Sequence, residues 1–266
     1  MKRLSRRGYP ARNTDEKIKE QKKISGKTMI SQTLYRARVP ILILVFAGLW
    51  KINMLHPYPV IFLLLNKLGL ASTSAIRLSY TLLMGFYIAG LWLRISGSSI
   101  LGSETVWGGM PRARALETRG IYGSIRHPIH LGSMLILLSL APMNSPVSAG
   151  IILFFAIPFI FFLANHEDQF LLKHFPEFEK YRKNVPGFIP NSHPLRTFLH
   201  PFDENEGANL SSGIRSEFLN ISFLGGFSGF ILKGNTQAFW EGFASGIILT
   251  TFMYFLFKRR LSVRNH

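Results

Sequence analysis

The chain has 266 residues, of which 47% are hydrophobic and 17% are charged, with 23 Phe and no Cys. Soluble domains carry about 25% charged residues, so this composition indicates a polytopic membrane protein. The absence of cysteine excludes a disulfide framework, a thiolate metal site and a cysteine nucleophile.

The formal charge of +17 comes from 31 Lys and Arg against 14 Asp and Glu. Four segments, 1–38, 94–126, 165–217 and 258–266, hold 27 of the 31 basic residues. Basic residues concentrated in alternate loops follow the positive-inside rule, so we expect these segments in the cytoplasm, against the anionic head groups of a lipid bilayer. No basic motif interleaved with aromatic residues is visible, and nucleic-acid binding is not expected.

The N-terminal part of the chain divides into a tail and a first helical region. Residues 1–38 are polar and basic, cannot bury a core, and predict a mobile cytoplasmic tail. The apolar run at 39–55 predicts a first spanning helix, and a His-Pro-Tyr-Pro break separates it from a bent, partly interfacial continuation at 60–65.

A cleaner apolar run at 78–93 predicts the second span. Arg77 and Arg94 bracket it, and their long side chains are expected to snorkel to the two membrane interfaces. The following segment, 95–126, is polar and rich in glycine, which favours loop or short helical structure over another span.

Two apolar stretches, 131–143 and 147–164, predict a helical hairpin because only Asn144-Ser145-Pro146 joins them. The polar segments on either side of this hairpin are therefore expected on the same membrane face. The residues that carry chemistry must then be sought where those two segments meet the hairpin.

The C-terminal part begins with a polar linker at 191–217 and continues with two apolar segments, 218–232 and 239–257. Their glycines suit close helix packing, in an oligomerisation element or in extra scaffold. The whole chain is predicted to be an all-α, polytopic transmembrane bundle of about six helices. Its predicted divisions are a tail at 1–38, N-terminal helices at 39–94, a catalytic core at 95–190, a linker at 191–217 and a C-terminal helix pair at 218–266.

Two polar motifs flank the hairpin. The first, RGIYGSIRHPIHLGS at 119–133, reads G-x-Y-x-x-x-R-H-P-x-x-x-G, and the second, NHEDQFLLKHFPEFEKYRKNVPGFIP at 165–190, contains E-D, a Tyr and V-P-x-x-x-P. Together they resemble the family of isoprenylcysteine carboxyl methyltransferases and phospholipid methyltransferases. The resemblance covers roughly residues 90–190. It implies a membrane-embedded enzyme that uses S-adenosylmethionine (SAM) at a site on the cytoplasmic face.

In the first motif, Pro128 stands where an apolar helix begins, so its missing N–H costs nothing. The free amides at that helix N-terminus favour an anion such as the carboxylate of SAM. Arg126 and His127 lie beside them and can bind the cofactor carboxylate, a substrate carboxylate or a lipid phosphate. The alternative is that both are ordinary cytoplasmic-side residues in contact with lipid head groups.

In the second motif, Glu167 and Asp168 are acceptors for the ammonium group or the ribose hydroxyls of SAM, unless they are a solvated helix end. Helical spacing places Glu167, Leu171 and His174 on one face. Tyr122 and Tyr181 can lean on the adenine ring, although interfacial tyrosines need no ligand. The candidate site residues are, for catalysis, Arg126 and Glu167, and, for cofactor binding, Tyr122, His127, Pro128, His130, Gly132, Glu167, Asp168 and Tyr181, with no metal ligand.

Methyl transfer from a sulfonium is an in-line displacement that needs positioning and exclusion of water. A carboxylate acceptor needs no base, whereas an amine or thiol must lose a proton, for which Glu167, His127 or His130 are candidate bases. The expected acceptor is lipidic or a small hydrophobic molecule, of the prenylcysteine carboxylate or aminophospholipid type. No sequence feature chooses between these types or indicates the oligomeric state.

The motifs depart from the family pattern at three places. His130 stands where Tyr is usual, Asp168 stands where a second Glu is usual, and the arginine common just before Glu167 is missing. Two alternatives therefore stay open. One is a family member that has lost activity and serves as a membrane scaffold, and the other is an NADPH-dependent enzyme resembling the sterol reductases.

Overall fold

A computed structural model of the chain describes residues 33–35, 37–56, 58–102, 116–190, 201–202, 208–233, 238–239 and 241–252. All regular structure in these ranges is helical, which confirms the all-α prediction for the described residues. The helices are α1 Arg38–Leu55, α2 Val60–Lys67, α3 Thr73–Leu101, α4 Pro128–Leu140, α5 Pro146–His174, α6 Phe178–Asn184, α7 Leu210–Ser216, α8 Phe218–Lys233 and α9 at 241–252, with 3-10 turns at Gly120–Gly123 and Ala141–Met143.

Two of the helices in the described ranges are long and apolar enough to cross a membrane, namely α3 and α5. The expected number was about six, and that expectation is wrong for this part of the chain. Spanning a bilayer takes about 20 residues. The Pro128–Met143 and Phe218–Lys233 segments are apolar but shorter than that.

Helix α1 coincides with the first predicted span but is not one of these two helices. Its polar end is tied to the hairpin turn instead. The Asn53 side chain donates a hydrogen bond to the side chain of Asn144 and accepts one from the backbone amide of Ser145 at 3.0 Å. The predicted continuation at 60–65 is the separate helix α2.

Helix α4 is the centre of the fold. On one side, the buried residues Ile136 and Leu140 pack with Tyr87 and Leu91 of α3 and with Phe227 of α8. On its other side, α4 packs on α5 and α1 through a second cluster. That cluster contains Leu49, Leu137, Ala141, Ala149, Ile152, Ala156 and Ile160.

Helices α3 and α4 approach so closely because each carries a glycine at the crossing. A Cβ atom on Gly90 would lie 2.6 Å from the carbonyl oxygen of Gly132, and one on Gly132 would collide with the carbonyl oxygen of Gly90. Helix α3 therefore holds α4, and the polar motif at its start, in one position.

Helix α3 continues to Leu101 and ends at Gly102, whose φ of +82° suits glycine. The prediction of loop or short helical structure from residue 95 onward is therefore wrong for residues 95–101, which continue the long helix α3. Ser96, Ser98 and Ser99 are buried, and residues 103–115 lie outside the described ranges. Small polar side chains near the end of a helix do not stop it when a neighbouring helix covers them.

The predicted linker also contains structure, since α7 packs on α3 with Gly213 against Ser99 and the carbonyl oxygen of Ile95. At the junction of α7 and α8, Glu217 is 1% exposed and forms an ion pair with Arg94 at 2.7 Å. The prediction that Arg94 snorkels to an interface is therefore wrong. A buried carboxylate holds its guanidinium inside the protein.

Candidate functional site

The two polar motifs meet at one end of the hairpin formed by α4 and α5. The turn at Ala141–Met143 and Ser145 reverses the chain, so the start of α4 lies beside the last turns of α5. The chain after α6 then returns to the same place. The backbone amides of Arg126 and His127 donate to the carbonyl oxygens of Pro186 and Gly187 at 2.9 and 3.0 Å.

Five charged or titratable side chains gather there, and we refer to them as the histidine–carboxylate cluster: Arg126, His127, His130, Glu167 and Asp168. Asp168 joins the two motifs. One of its oxygens lies 2.5 Å from Nη1 of Arg126, and the other lies 3.0 Å from Nε2 of His127. Asp168 and His127 are both buried, at 7% and 6% exposure.

Glu167 forms the second half of the cluster. Its Oε2 atom lies 3.0 Å from Nε2 of His130 and 3.8 Å from Nδ1 of His127. Its Oε1 atom accepts a hydrogen bond from the hydroxyl of Tyr35 at 3.0 Å. Glu167 therefore points inward, as its helical face predicted, whereas His174 on the same helix is exposed.

Tyr35 is the member of this site that the sequence did not reveal. It is 3% exposed and its ring centroid lies 4.8 Å from that of His166. Residues 1–38 were predicted to be a mobile tail, and this is wrong for residues 33–35, which are helical. Residues 1–32 lie outside the described ranges. No local pattern marks Tyr35, because its partner Glu167 is 132 positions away.

Arg126 is engaged within the protein. Its Nε donates to the carbonyl oxygen of Val185 at 2.8 Å, and its guanidinium lies 5.9 Å from the centroid of the Phe178 ring. Together with the pair to Asp168, these contacts leave its side chain 12% exposed. Its clearest role in this structure is to fix Asp168. Direct contact with a carboxylate or phosphate of a ligand stays a prediction.

Tyr122 and Tyr181 are adjacent, as a shared adenine site requires, but both are used in packing. The hydroxyl of Tyr181 donates to the carbonyl oxygen of Tyr122 at 2.6 Å, and the hydroxyl of Tyr122 lies 3.4 Å from the carbonyl oxygen of Gly97. Burial raises the pKa of both phenols above the ordinary value, so both remain neutral donors. Stacking on adenine stays a prediction.

Pro128 and Gly132 occupy the first two turns of α4. Pro128 is the first residue of the helix, as predicted, and is buried. Gly132 lies at the crossing with Gly90, so close helix packing already explains its lack of a side chain. The carboxylates of Glu167 and Asp168 contact the residues that begin α4, where the helix dipole favours negative charge. The chain thus supplies its own anions at the terminus predicted to bind a ligand carboxylate.

The cluster contains one guanidinium, two carboxylates and two imidazoles. With neutral imidazoles its net charge is negative, so it suits a ligand with positive charge. Either the ammonium group of a small molecule or a metal ion has this property. In the described residues, this polar cluster lies at the end of an apolar helical hairpin, where the residues that begin α4 meet the last turns of α5.

Comparison with known proteins agrees with this description. Residues 78–177 match the family model for phospholipid methyltransferase. This segment is similar to the isoprenylcysteine and phospholipid methyltransferase group, and the resemblance seen in the motifs is confirmed over residues 78–177. The matched segment contains most of α3, all of α4 and α5, and the whole histidine–carboxylate cluster, but not Tyr35. The family and the two apolar helices together indicate a membrane protein of methyltransferase type.

Two curated relatives are similar over part of their length. The cobalt-zinc-cadmium resistance protein CzcN of Cupriavidus metallidurans is 30% identical over 41% of this chain and 49% of its own. The nickel-cobalt-cadmium resistance protein NccN of Alcaligenes xylosoxydans xylosoxydans is 29% identical over 30% of this chain and 38% of its own. The chain thus spans about half the length or less of these relatives. No solved structure matches it.

Proposed function

We propose that this protein is an integral membrane methyltransferase that takes its methyl group from SAM and transfers it to a lipidic or small hydrophobic acceptor. The observation that carries the proposal is the joining of the two motifs through Asp168, which binds Arg126 at 2.5 Å and His127 at 3.0 Å. Helices that served only to anchor the chain in a membrane would not require these polar side chains to lie together.

The proposed roles follow from the charge of the cluster. SAM supplies an activated methyl group on a sulfonium, together with an ammonium and a carboxylate. Glu167 and Asp168 accept hydrogen bonds from the ammonium or the ribose, and Arg126 keeps Asp168 oriented. For an amine or thiol acceptor, Glu167 or one of the two histidines takes the proton. A carboxylate acceptor requires no base.

The acceptor is proposed to enter sideways from the bilayer. The cluster sits at the end of two apolar helices, and Leu138 and Phe154 on their surfaces are exposed. A lipid tail can lie along such a surface while its head group reaches the polar cluster. A prenylcysteine would present its carboxylate there, whereas an aminophospholipid would present its amine.

The site is proposed to face the cytoplasm, because the basic segments of the sequence concentrate on that side. Single cysteines at Ser5 and Asn205 provide a test in a chain that has no cysteine of its own. Both are expected to resist an impermeant maleimide in intact cells and to react after the cells are opened. Reaction in intact cells would contradict the proposed orientation.

The experiment that tests the function has two parts. Calorimetry on the detergent-solubilised full chain is expected to show SAM binding, and NADPH is expected to show none. Membranes are then incubated with methyl-labelled SAM, and base-labile methyl esters are separated from stable N-methyl lipids. Label in a lipid fraction supports the proposal. Absence of SAM binding would leave an inactive scaffold, and label only in a water-soluble product would exclude lateral entry.

A further inference from the structure

Three side chains of the cluster, His127, His130 and Glu167, bring potential metal-ligand atoms close together. One atom from each of these residues lies within 4.8 Å of the other two. Oε2 of Glu167 is 3.0 Å from His130 and 3.8 Å from His127. Ligand atoms around a tetrahedral zinc ion lie roughly 3.3 Å apart, given bonds of about 2.0 Å. The described side chains are thus near the spacing that a metal ion requires.

The hydrogen bonds of His127 leave one of its nitrogens without a partner. Its Nε2 atom donates to a carboxylate oxygen of Asp168 at 3.0 Å. Its Nδ1 atom faces Oε2 of Glu167 at 3.8 Å, which is longer than a hydrogen bond. Among the described residues no hydrogen bond reaches Nδ1. A ring nitrogen and a carboxylate oxygen that face each other at this distance are placed to share one metal ion.

The groups around these three residues are those that orient metal ligands. A histidine that binds a metal usually donates its other ring N–H to a carboxylate, and His127 does so to Asp168. Asp168 is held in turn by Arg126 at 2.5 Å. The hydroxyl of Tyr35 donates to Oε1 of Glu167, so the other carboxylate oxygen, Oε2, is the one that faces the two histidines. Two of the three proposed ligands, His127 and Glu167, are therefore held by hydrogen bonds to residues outside the ligand set.

We propose that His127, His130 and Glu167 bind one divalent transition-metal ion of the zinc type. Two imidazoles and one carboxylate suit zinc and the neighbouring first-row metals, whereas calcium and magnesium prefer all-oxygen sites. Three protein ligands leave a fourth position for water or another ligand. The metal site goes beyond the proposed methyl transfer and does not rest on it. Because both share His127 and Glu167, the metal is tested in the absence of SAM.

The test measures Zn²⁺ binding to the metal-free, detergent-solubilised full chain by calorimetry, with Co²⁺ absorption as a second readout. The wild type is expected to bind one ion per chain, and bound Co²⁺ is expected to show the intense visible bands of four coordination. His130→Gln keeps an N–H that can donate to Glu167 but removes the imidazole. We expect His130→Gln to weaken Zn²⁺ binding by more than about a hundredfold. This is more than the loss expected when a residue that only hydrogen-bonds to a metal ligand is replaced.

Two further variants make the result specific. Tyr35→Phe removes a hydrogen bond to Glu167 without touching a ligand, and it is expected to weaken Zn²⁺ binding by about tenfold. His174→Gln is the matched control, because His174 lies on α5 but is exposed and its Nδ1 lies 2.8 Å from the carbonyl oxygen of Phe170. Its Zn²⁺ affinity is expected to equal that of the wild type.

The outcomes separate the two proposals. Equal Zn²⁺ affinity in the wild type and in His130→Gln would mean an adventitious ion only and would overturn the site, as would no binding at all. Circular dichroism and elution from a sizing column establish that each variant is folded, and Glu167→Gln replaces His130→Gln if the latter is not. SAM binding on the same preparations is scored separately. Its absence would count against the methyltransferase proposal and leave the metal site standing.

Discussion

Two buried charged networks contact α4, one through Ser133 and the other through His130, and they differ in how completely their polar atoms are used. In the first, Arg94 donates from Nε and Nη2 to Glu217 at 2.7 and 2.9 Å and from Nη1 to Ser133, while Asn220 donates to Glu217 at 2.6 Å. In the second, the histidine–carboxylate cluster, no hydrogen bond from the described residues reaches Nδ1 of His127, which faces Oε2 of Glu167 at 3.8 Å.

The difference separates a structural network from a functional one. Arg94 and Glu217 carry one charge of each sign and occupy each other's hydrogen-bonding groups, so no ligand is needed between α3, α4 and the C-terminal helices. With neutral imidazoles, the histidine–carboxylate cluster carries an excess of negative charge at the end of the hairpin where α4 begins and α5 ends. Perturbed charge balance of this kind is typical of binding sites.

The largest effect on stability is expected when the ion pair between Arg94 and Glu217 is broken. Glu217→Ala leaves the Arg94 guanidinium buried without a counter-charge, and the free energy of unfolding is expected to fall by about 3–5 kcal/mol. Thermal and denaturant unfolding in detergent measure this loss. The paired replacement Arg94→Met with Glu217→Leu removes both charges and is expected to recover most of the stability. If the single and the paired variants were equally stable, the unpaired charge of Arg94 would not be costly. The Arg94–Glu217 network would then not be structural.

The next effect concerns the function of the second network. Glu167→Ala is expected to weaken SAM binding by about 1.5–3 kcal/mol, or roughly ten- to hundredfold, because one charged hydrogen bond is lost. Its free energy of unfolding is expected to change by about 1 kcal/mol or less, since the Glu167 side chain is 30% exposed and water can replace it. Calorimetry measures the SAM affinity, and thermal unfolding measures the change in stability. A large loss of stability with unchanged SAM affinity would make the cluster structural.

A smaller effect is expected from the residue that precedes α1. Tyr35→Phe keeps the ring beside His166 and removes only the hydroxyl that donates to Glu167. SAM affinity is expected to fall by about 0.5–1.5 kcal/mol, the ordinary net value of one hydrogen bond. Titration of SAM into this variant and the wild type is the measurement. No change would place Tyr35 outside the functional site.

The smallest effect is expected at an exposed ion pair. It serves as the reference with which the effects of the other three substitutions are compared. Lys183 and Glu179 of α6 lie 3.0 Å apart, as their i,i+4 spacing predicted, and their side chains are 73% and 69% exposed. Lys183→Ala is expected to lower the free energy of unfolding by about 0.3–0.5 kcal/mol and to leave SAM binding unchanged. A loss comparable to that of Glu217→Ala would show that burial does not distinguish these pairs.

The sequence by itself determined the hairpin, the two motifs and the resemblance to the methyltransferase family over residues 78–177. The periodic apolar runs on either side of Asn144-Ser145-Pro146 predict two antiparallel helices, and the motifs at their outer ends must then meet. Pro128 at the helix start and the Glu179–Lys183 pair were also predicted correctly. These features depend on neighbours within a few positions, and local spacing is what a sequence displays.

Only the tertiary structure decided which polar groups pair with each other. Arg94 lies 123 positions from Glu217, and Tyr35 lies 132 from Glu167, so no periodic pattern connects them. Sequence reasoning assigned Arg94 to a membrane interface because a long basic side chain at a helix end can reach water. In the folded protein the packing of α7 and α8 on α3 excludes water from the Arg94 guanidinium. A desolvated charge needs a partner within the protein, and the buried carboxylate of Glu217 supplies it.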